Sequence, residues 1–215
     1  MPFRLPVLIF LGLAACAQPP ATVPIRAERQ LVPGPPIEPG QKAQALAVLP
    51  MQFGSFTRSA EPEVIGADRA LIRYSSSGAS TRLSATVFLI GLGDNPPGDG
   101  PDSPRALQEL ERGANDALAQ LLATLNPEKE GGAFNPTIQR SQGPVMRCRG
   151  RVLPLATDTV TDVLCSTVWR QRLLQIRLTQ RHPHEALLAA ALVNNGFMYI
   201  MFERLHGEAP GALRT

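Results

Sequence analysis

The stretch Val145-Met146-Arg147-Cys148-Arg149-Gly150-Arg151-Val152-Leu153 alternates basic and apolar side chains with a period of two. Arg147, Arg149 and Arg151 leave one face of such a strand, and Met146, Cys148 and Val152 leave the other. Residues 162–170 repeat the alternation, with Val163, Cys165 and Thr167 on one parity. Past a short turn at Trp169-Arg170-Gln171-Arg172, Leu174, Ile176 and Leu178 mark a third strand. Three strands with short connections predict an antiparallel meander held by local pairing.

Outward from this meander, residues 51–58, 70–75 and 82–92 read as further strands, separated by turn-prone sequence at 59–62 and Ser75-Ser76-Ser77-Gly78. Val87-Phe88-Leu89-Ile90 is apolar on both parities, so that strand is expected to be covered on both faces. A helix is predicted from Arg105, because Leu107, Leu110, Ala114, Leu118, Leu121 and Leu125 make one stripe while Glu109, Glu111, Arg112 and Asp116 lie away from it. Ser103 and Pro104 occupy its N-cap and first helical positions, Asn126-Pro127 stops it, and 131–144 reads as irregular connection. A second long helix spans about 184–205, with Leu187, Ala190, Ala191, Asn194, Phe197, Met198, Met201, Phe202 and Leu205 facing the sheet. The expected fold is α+β: a mainly antiparallel sheet of about six strands packed with two long helices, sandwich-like.

On residues 70–74 and 86–92, the helix 105–125 and the paired stretches 145–153 and 173–179, this order of elements resembles Mog1/PsbP-type α/β/α sandwich proteins. The resemblance implies an accessory or assembly role.

At the N-terminus, Arg4 is followed by the uncharged run 7–15, about nine residues long, too short to cross a bilayer and suited to a secretory leader. Its end, Leu13-Ala14-Ala15-Cys16, resembles the lipobox of bacterial lipoproteins. That resemblance implies cleavage before Cys16, acylation of Cys16, and, with Ala17 rather than aspartate following, sorting to the outer membrane facing the periplasm. The bilayer is then a partner through the acyl chains. Eight prolines lie between Cys16 and Pro50, which reads as an extended spacer, although the alanine-rich 41–48 leaves a short helix open within 39–49. The expected organisation is a signal peptide at 1–15, a Pro-rich tether at 16–45, one domain at 46–205 and a tail at 206–215.

Without residues 1–15 the chain carries 20 basic and 18 acidic side chains, because Arg4 is the only charge lost. Such a balance gives no support for a nucleic-acid partner. With Cys16 committed to lipid, Cys148 and Cys165 are the remaining thiols, placed on neighbouring strands in a chain expected to be exported. A disulfide is the favoured reading; a redox pair lacks Cys-x-x-Cys, and zinc lacks spaced histidines. Arg147, Arg149 and Arg151, with Arg170, Arg172, Arg177 and Arg181 nearby in sequence, offer a face for an envelope protein or an anionic glycan or lipid. The opposing reading is a solvated sheet face whose arginines pair with local carboxylates.

Asp94, Asn95, Asp99 and Asp102 lack calcium-loop spacing. His182, His184 and Glu185 lack His-Glu-x-x-His and read as a helix start instead. No Gly-x-Ser-x-Gly, Walker or dinucleotide fingerprint is present, so no catalytic residue, metal or cofactor is assigned. The expectation is a non-catalytic binding or assembly lipoprotein of the bacterial envelope; the alternative is a periplasmic hydrolase with an unrecognised active site.

Overall fold

The computed structural model describes residues 35–59, 61–77, 82–93, 98–125, 127 and 131–207. A 3-10 turn at Pro39–Gln41 leads into α1 (Lys42–Ala47), so the short helix left open within 39–49 is present. Four strands follow: β1 (Gln52–Phe53), β2 (Phe56–Arg58), β3 (Glu63–Ile65) and β4 (Arg69–Ser77). Next come β5 (Arg82–Gly91), α2 (Pro104–Leu125), β6 (Gly132–Phe134) and β7 (Thr137–Arg140). The chain closes with β8 (Gly143–Pro154), β9 (Thr159–Trp169), β10 (Arg172–His182) and α3 (Leu187–Gly207).

All the strands join one antiparallel sheet in the order β1-β2-β4-β5-β10-β9-β8-β6, with β3 added to β4 and β7 to β8. The sheet has ten strands rather than the expected six. The difference lies in strands of two to four residues, which are too short to show a period. The expected strand 51–58 is a tight hairpin turning at Gly54, whose φ of 56° suits glycine. Residues 131–144, expected to be irregular, contain β6 and β7, both paired with β8.

The expected meander is present. Residues of β9 pair with β10 from Trp169↔Arg172 to Thr159↔His182, and with β8 from Ser166↔Arg147 to Thr159↔Pro154. Every residue of β9 is buried, so helices cover both of its faces. On one face Leu174, Ile176, Leu178, Val163 and Met146 join Phe197, Met198, Met201, Phe202 and Leu205 of α3 in the main core. Phe197 sits within a ring cluster, 4.7 Å from Phe56 and 5.4 Å from Tyr74 between centroids.

On the other face, α2 lays Leu121 against Leu153, Leu155 and Val160, and Ala106 against Val168 and Leu173. Gly113 makes the close approach: a Cβ there would stand 2.9 Å from a methyl of Leu164. The buried stripe of α2 is rotated from the expected one. It contains Ala106, Glu109, Leu110, Ala117 and Leu121, so Glu109 is buried rather than lying away from the core. Its carboxylate is held by Arg105 and Arg112 of the same helix, and its backbone carbonyl accepts the Gln175 amide at 3.3 Å. Ser103 does not cap through its side chain; its buried hydroxyl has no hydrogen-bond partner among the described residues. The second face of β5 is only partly covered, with Phe88 and Ile90 half-buried where full burial was expected.

Packed structure begins well before residue 46. Ile37, Ala45 and Leu46 belong to the main core, and the buried Lys42 ammonium donates to the Ala67 carbonyl at 2.7 Å. At the other end α3 continues through His206 to Gly207, past the expected limit of 205, and residues 208–215 of the expected tail lie outside the described residues.

Cys148 and Cys165 are bonded across β8 and β9, with Cα atoms 4.0 Å apart. The Cys148 amide donates away from this pair, to the Pro136 carbonyl at 3.1 Å, which makes 148/165 a non-hydrogen-bonded pair, where opposed side chains come closest. Both cysteines are fully buried in the main core. Replacing both by alanine should lower unfolding stability by about 3 kcal/mol relative to the oxidised protein, as loop closure of this length implies. Chemical denaturation of the two proteins side by side measures it.

Candidate functional site

Arg147, Arg149 and Arg151 alternate along β8 on the face covered by α2, opposite the face that carries the disulfide. Two of them are engaged by carboxylates of the adjoining helix layer. Arg147 Nε donates to Asp102 at 2.7 Å, and Arg149 Nε donates to Glu111 of α2 at the same distance. The hydrogen bond raises the Arg147 pKa above its ordinary value and lowers that of Asp102. Arg151 pairs in register with Asp162, which itself accepts from Arg177 Nε at 2.9 Å and from Thr179. Arg177 and Arg181 share this face, with Arg181 bound to Asp158. The face is thus a lattice of alternating charge in which local carboxylates meet the arginines, and the exposed members of such pairs contribute little to stability.

Arg170 and Arg172 do not extend the row. They hold the segment preceding α1 instead: Arg170 Nε donates to the Pro35 carbonyl at 2.6 Å, Arg172 Nε donates to the Ile37 carbonyl at 2.6 Å, and the Ile37 amide donates to the Arg170 carbonyl at 3.2 Å. The β9–β10 turn that presents these groups has positive φ at both central residues, Arg170 at 50° and Gln171 at 60°, a geometry that favours glycine or asparagine. Asp99 compensates by accepting both turn amides, from Arg170 at 3.0 Å and Gln171 at 2.9 Å. The Arg170 guanidinium also lies over the Trp169 ring, 5.5 Å from its centroid.

The side chains considered for metal binding are used structurally. Asp99 clasps the turn, Asp102 binds Arg147, and Asp94 and Asn95 lie outside the described residues. His182 is buried; its Nδ1–H donates to the Pro183 carbonyl at 2.8 Å, which leaves Nε2 to accept the Thr161 hydroxyl at 2.9 Å. His184 shares a 2.8 Å hydrogen bond with Thr159 and opens the 3-10 turn His184–Ala186 that precedes α3, as its expected role at a helix start requires. Among the described residues no three His, Cys, Asp or Glu side chains gather where they could hold a metal ion. Cys16, with the leader and most of the tether, lies outside the described residues.

Two features escaped the sequence reading. One is the Asp99 clasp, which joins groups far apart in the chain and has no local signal. The other is the exposed N-terminal half of α3, where Leu188 and Leu192 are 74% and 66% exposed. Its signal was the apolar content around the whole helix, more than one sheet-facing stripe needs. No protein-family model, curated protein or solved structure matches this chain.

The clasped end of the domain also carries a titratable core group. His206 stacks on Phe202 at 3.8 Å between centroids, lies 5.4 Å from Trp169, and donates from Nδ1 to the Phe202 carbonyl. Burial pushes its pKa down to about 4; the Phe202 carbonyl and Asp99 oppose the shift, while Arg140 and Arg170 add to it. Because the folded value lies below the unfolded one, this contribution is complete above pH 6.5 and is lost as pH falls toward 4. A depression of this size corresponds to about 3 kcal/mol. His206→Phe should therefore flatten the fall in unfolding stability between pH 7 and pH 4 by an amount of that order, measured by denaturant titration at each pH.

Proposed function

We propose that this chain is an exported lipoprotein, cleaved before Cys16, held by acylated Cys16 in the outer membrane facing the periplasm, and serving a non-catalytic binding or assembly role in the bacterial envelope. The observation that carries the reading is the buried Cys148–Cys165 disulfide in the central sheet, because such a bond persists in an oxidising compartment and is rare in the reducing cytosol. It agrees with the address read independently from Leu13-Ala14-Ala15-Cys16.

The binding role draws support from where the polar groups are spent. The histidines, the Asp99 and Asp102 carboxylates and the buried Tyr74 hydroxyl, which donates to the Pro50 carbonyl at 2.8 Å, hold elements of the fold together rather than converging on one cleft. The helices on both faces of the sheet fit the accessory role implied by the resemblance to Mog1/PsbP-type sandwiches. The face offered to an acidic envelope protein, glycan or lipid is the row Arg147, Arg149 and Arg151. Its pairs with half-exposed Asp102 and Glu111 are weak enough to exchange for a ligand's carboxylates or phosphates.

Cys16→Ala should abolish incorporation of labelled fatty acid and leave the protein unprocessed or released. Unchanged labelling and membrane fractionation would refute anchoring at this position. For the contact row, crosslinking in the native envelope should lose acidic partners in the R147Q/R149Q/R151Q variant. Identical partners and yields would remove the row from the binding reading.

A further inference from the structure

The N-terminal half of α3 is an outer surface built like a core. Residues 186–202 include no charged side chain, and between 187 and 195 six residues are exposed, among them Leu187 at 43%, Leu188 at 74%, Leu192 at 66% and Val193 at 38%. Beyond Asn194 the helix is different: Phe197, Met198, Met201 and Phe202 are buried, and Glu203 is fixed to Arg140 of β7 at 3.0 Å. By length and composition the helix could cross a bilayer, but its second half is committed to the sheet. Only its first half is open to a partner.

We infer that this outward face of α3 docks on the surface of a lipid bilayer and lays the domain against the membrane; the inference rests on the anchored-lipoprotein reading above. Three observations choose a bilayer as the occupant. The face is mainly aliphatic, without the Trp, Tyr or Arg anchors that dominate protein interfaces. Six exposed residues fall far short of the roughly 20–30 per side that a stable interface between two copies requires.

The third observation is where the chain leaves the domain. Pro35 is held at the β9–β10 turn, beside Trp169 and the His206 end of α3, so the chain from Cys16 joins at the end of α3 opposite the apolar patch. A chain running from Cys16 to Pro35 can span at most about 65 Å. The 21 residues of α3 measure about 31 Å, so the anchor leaves room for the whole helix to lie along the surface. A patch this small binds a bilayer only marginally by itself, but a tether of this length supplies an effective concentration of about millimolar.

Docking is apolar rather than electrostatic. Glu185 is the charge next to the patch in the chain, and Arg181 is paired with Asp158. The arginine row, on the α2 side of the sheet, then faces away from the bilayer and toward envelope partners.

The test uses the processed chain from residue 16 with Cys16→Ala, so that no acyl chain contributes, floated with vesicles of phosphatidylcholine alone or mixed with phosphatidylglycerol. A fraction should float with both vesicle types and persist at high salt. L188E/L192E should cut it about tenfold or more, since two leucine side chains leave the apolar contact. Leu122→Glu, an exposed leucine on α2, should leave it unchanged. Amide exchange of residues 186–195 in the acylated wild type should slow on vesicles, a reading that depends on no variant. No flotation of the Cys16→Ala chain together with unslowed exchange, equal flotation of L188E/L192E, or binding only to anionic vesicles and abolished by salt would overturn docking. So would a dimer that L188E/L192E converts to a monomer in light scattering. Flotation through the patch with no acyl label on Cys16 refutes the anchor and leaves docking standing; label on Cys16 with neither patch-dependent flotation nor slowed exchange does the reverse.

Discussion

The structure depends on complete burial of β9. All eleven residues from Thr159 to Trp169 are shielded, so this strand cannot exist without a layer on each face and a neighbour on each edge. The edges are supplied by β8 and β10 through short connections. The faces are supplied by α2 and α3, whose apolar stripes would otherwise remain in water. Of the polar side chains on β9, Asp162 takes Arg177 and Thr179 and Thr161 takes His182 from the same neighbours, while the buried Ser166 hydroxyl has no hydrogen-bond partner among the described residues. The disulfide adds a covalent link across a non-hydrogen-bonded pair of β8 and β9.

At one end of this strand the constraint becomes a junction. The tight β9–β10 turn places two non-glycine residues at positive φ, and Asp99 satisfies both of their amides. The same turn uses Arg170 and Arg172 to hold Pro35 and Ile37. The place where the N-terminal segment joins the domain is therefore also where the loop before α2, the central hairpin and the buried end of α3 meet.

The two faces of the sheet carry different chemistry. On the α2 side, arginines and carboxylates form exchangeable pairs at the surface. On the α3 side, an aliphatic helix is half core and half exposed. For the lipoprotein we propose, one side suits an apolar surface and the other suits acidic partners.

The period-two alternation in 145–153 and 162–170, the apolar 174–178 and the 3.6-residue stripe from Leu107 to Leu125 were enough to place the central strands and α2, because these signals are local and depend only on backbone repeat. The pairing of Cys148 with Cys165 was legible because they are the thiols left once Cys16 is read as the lipid site, and they fall on neighbouring predicted strands. The arginine row was legible as a row and pairing with carboxylates was one of its two readings, but Asp102 and Glu111 as the partners were not, since those groups lie some forty residues away in the chain. Strands of two to four residues, the burial of Glu109 and the Asp99 clasp were likewise invisible, and the uncovered half of α3 showed only as an apolar content larger than one sheet-facing stripe needs. Sequence alone determined the local periods and the lipobox-like N-terminus. Only the tertiary structure decided which apolar and charged groups found partners, because burial is a property of what packs against a residue rather than of the residue itself.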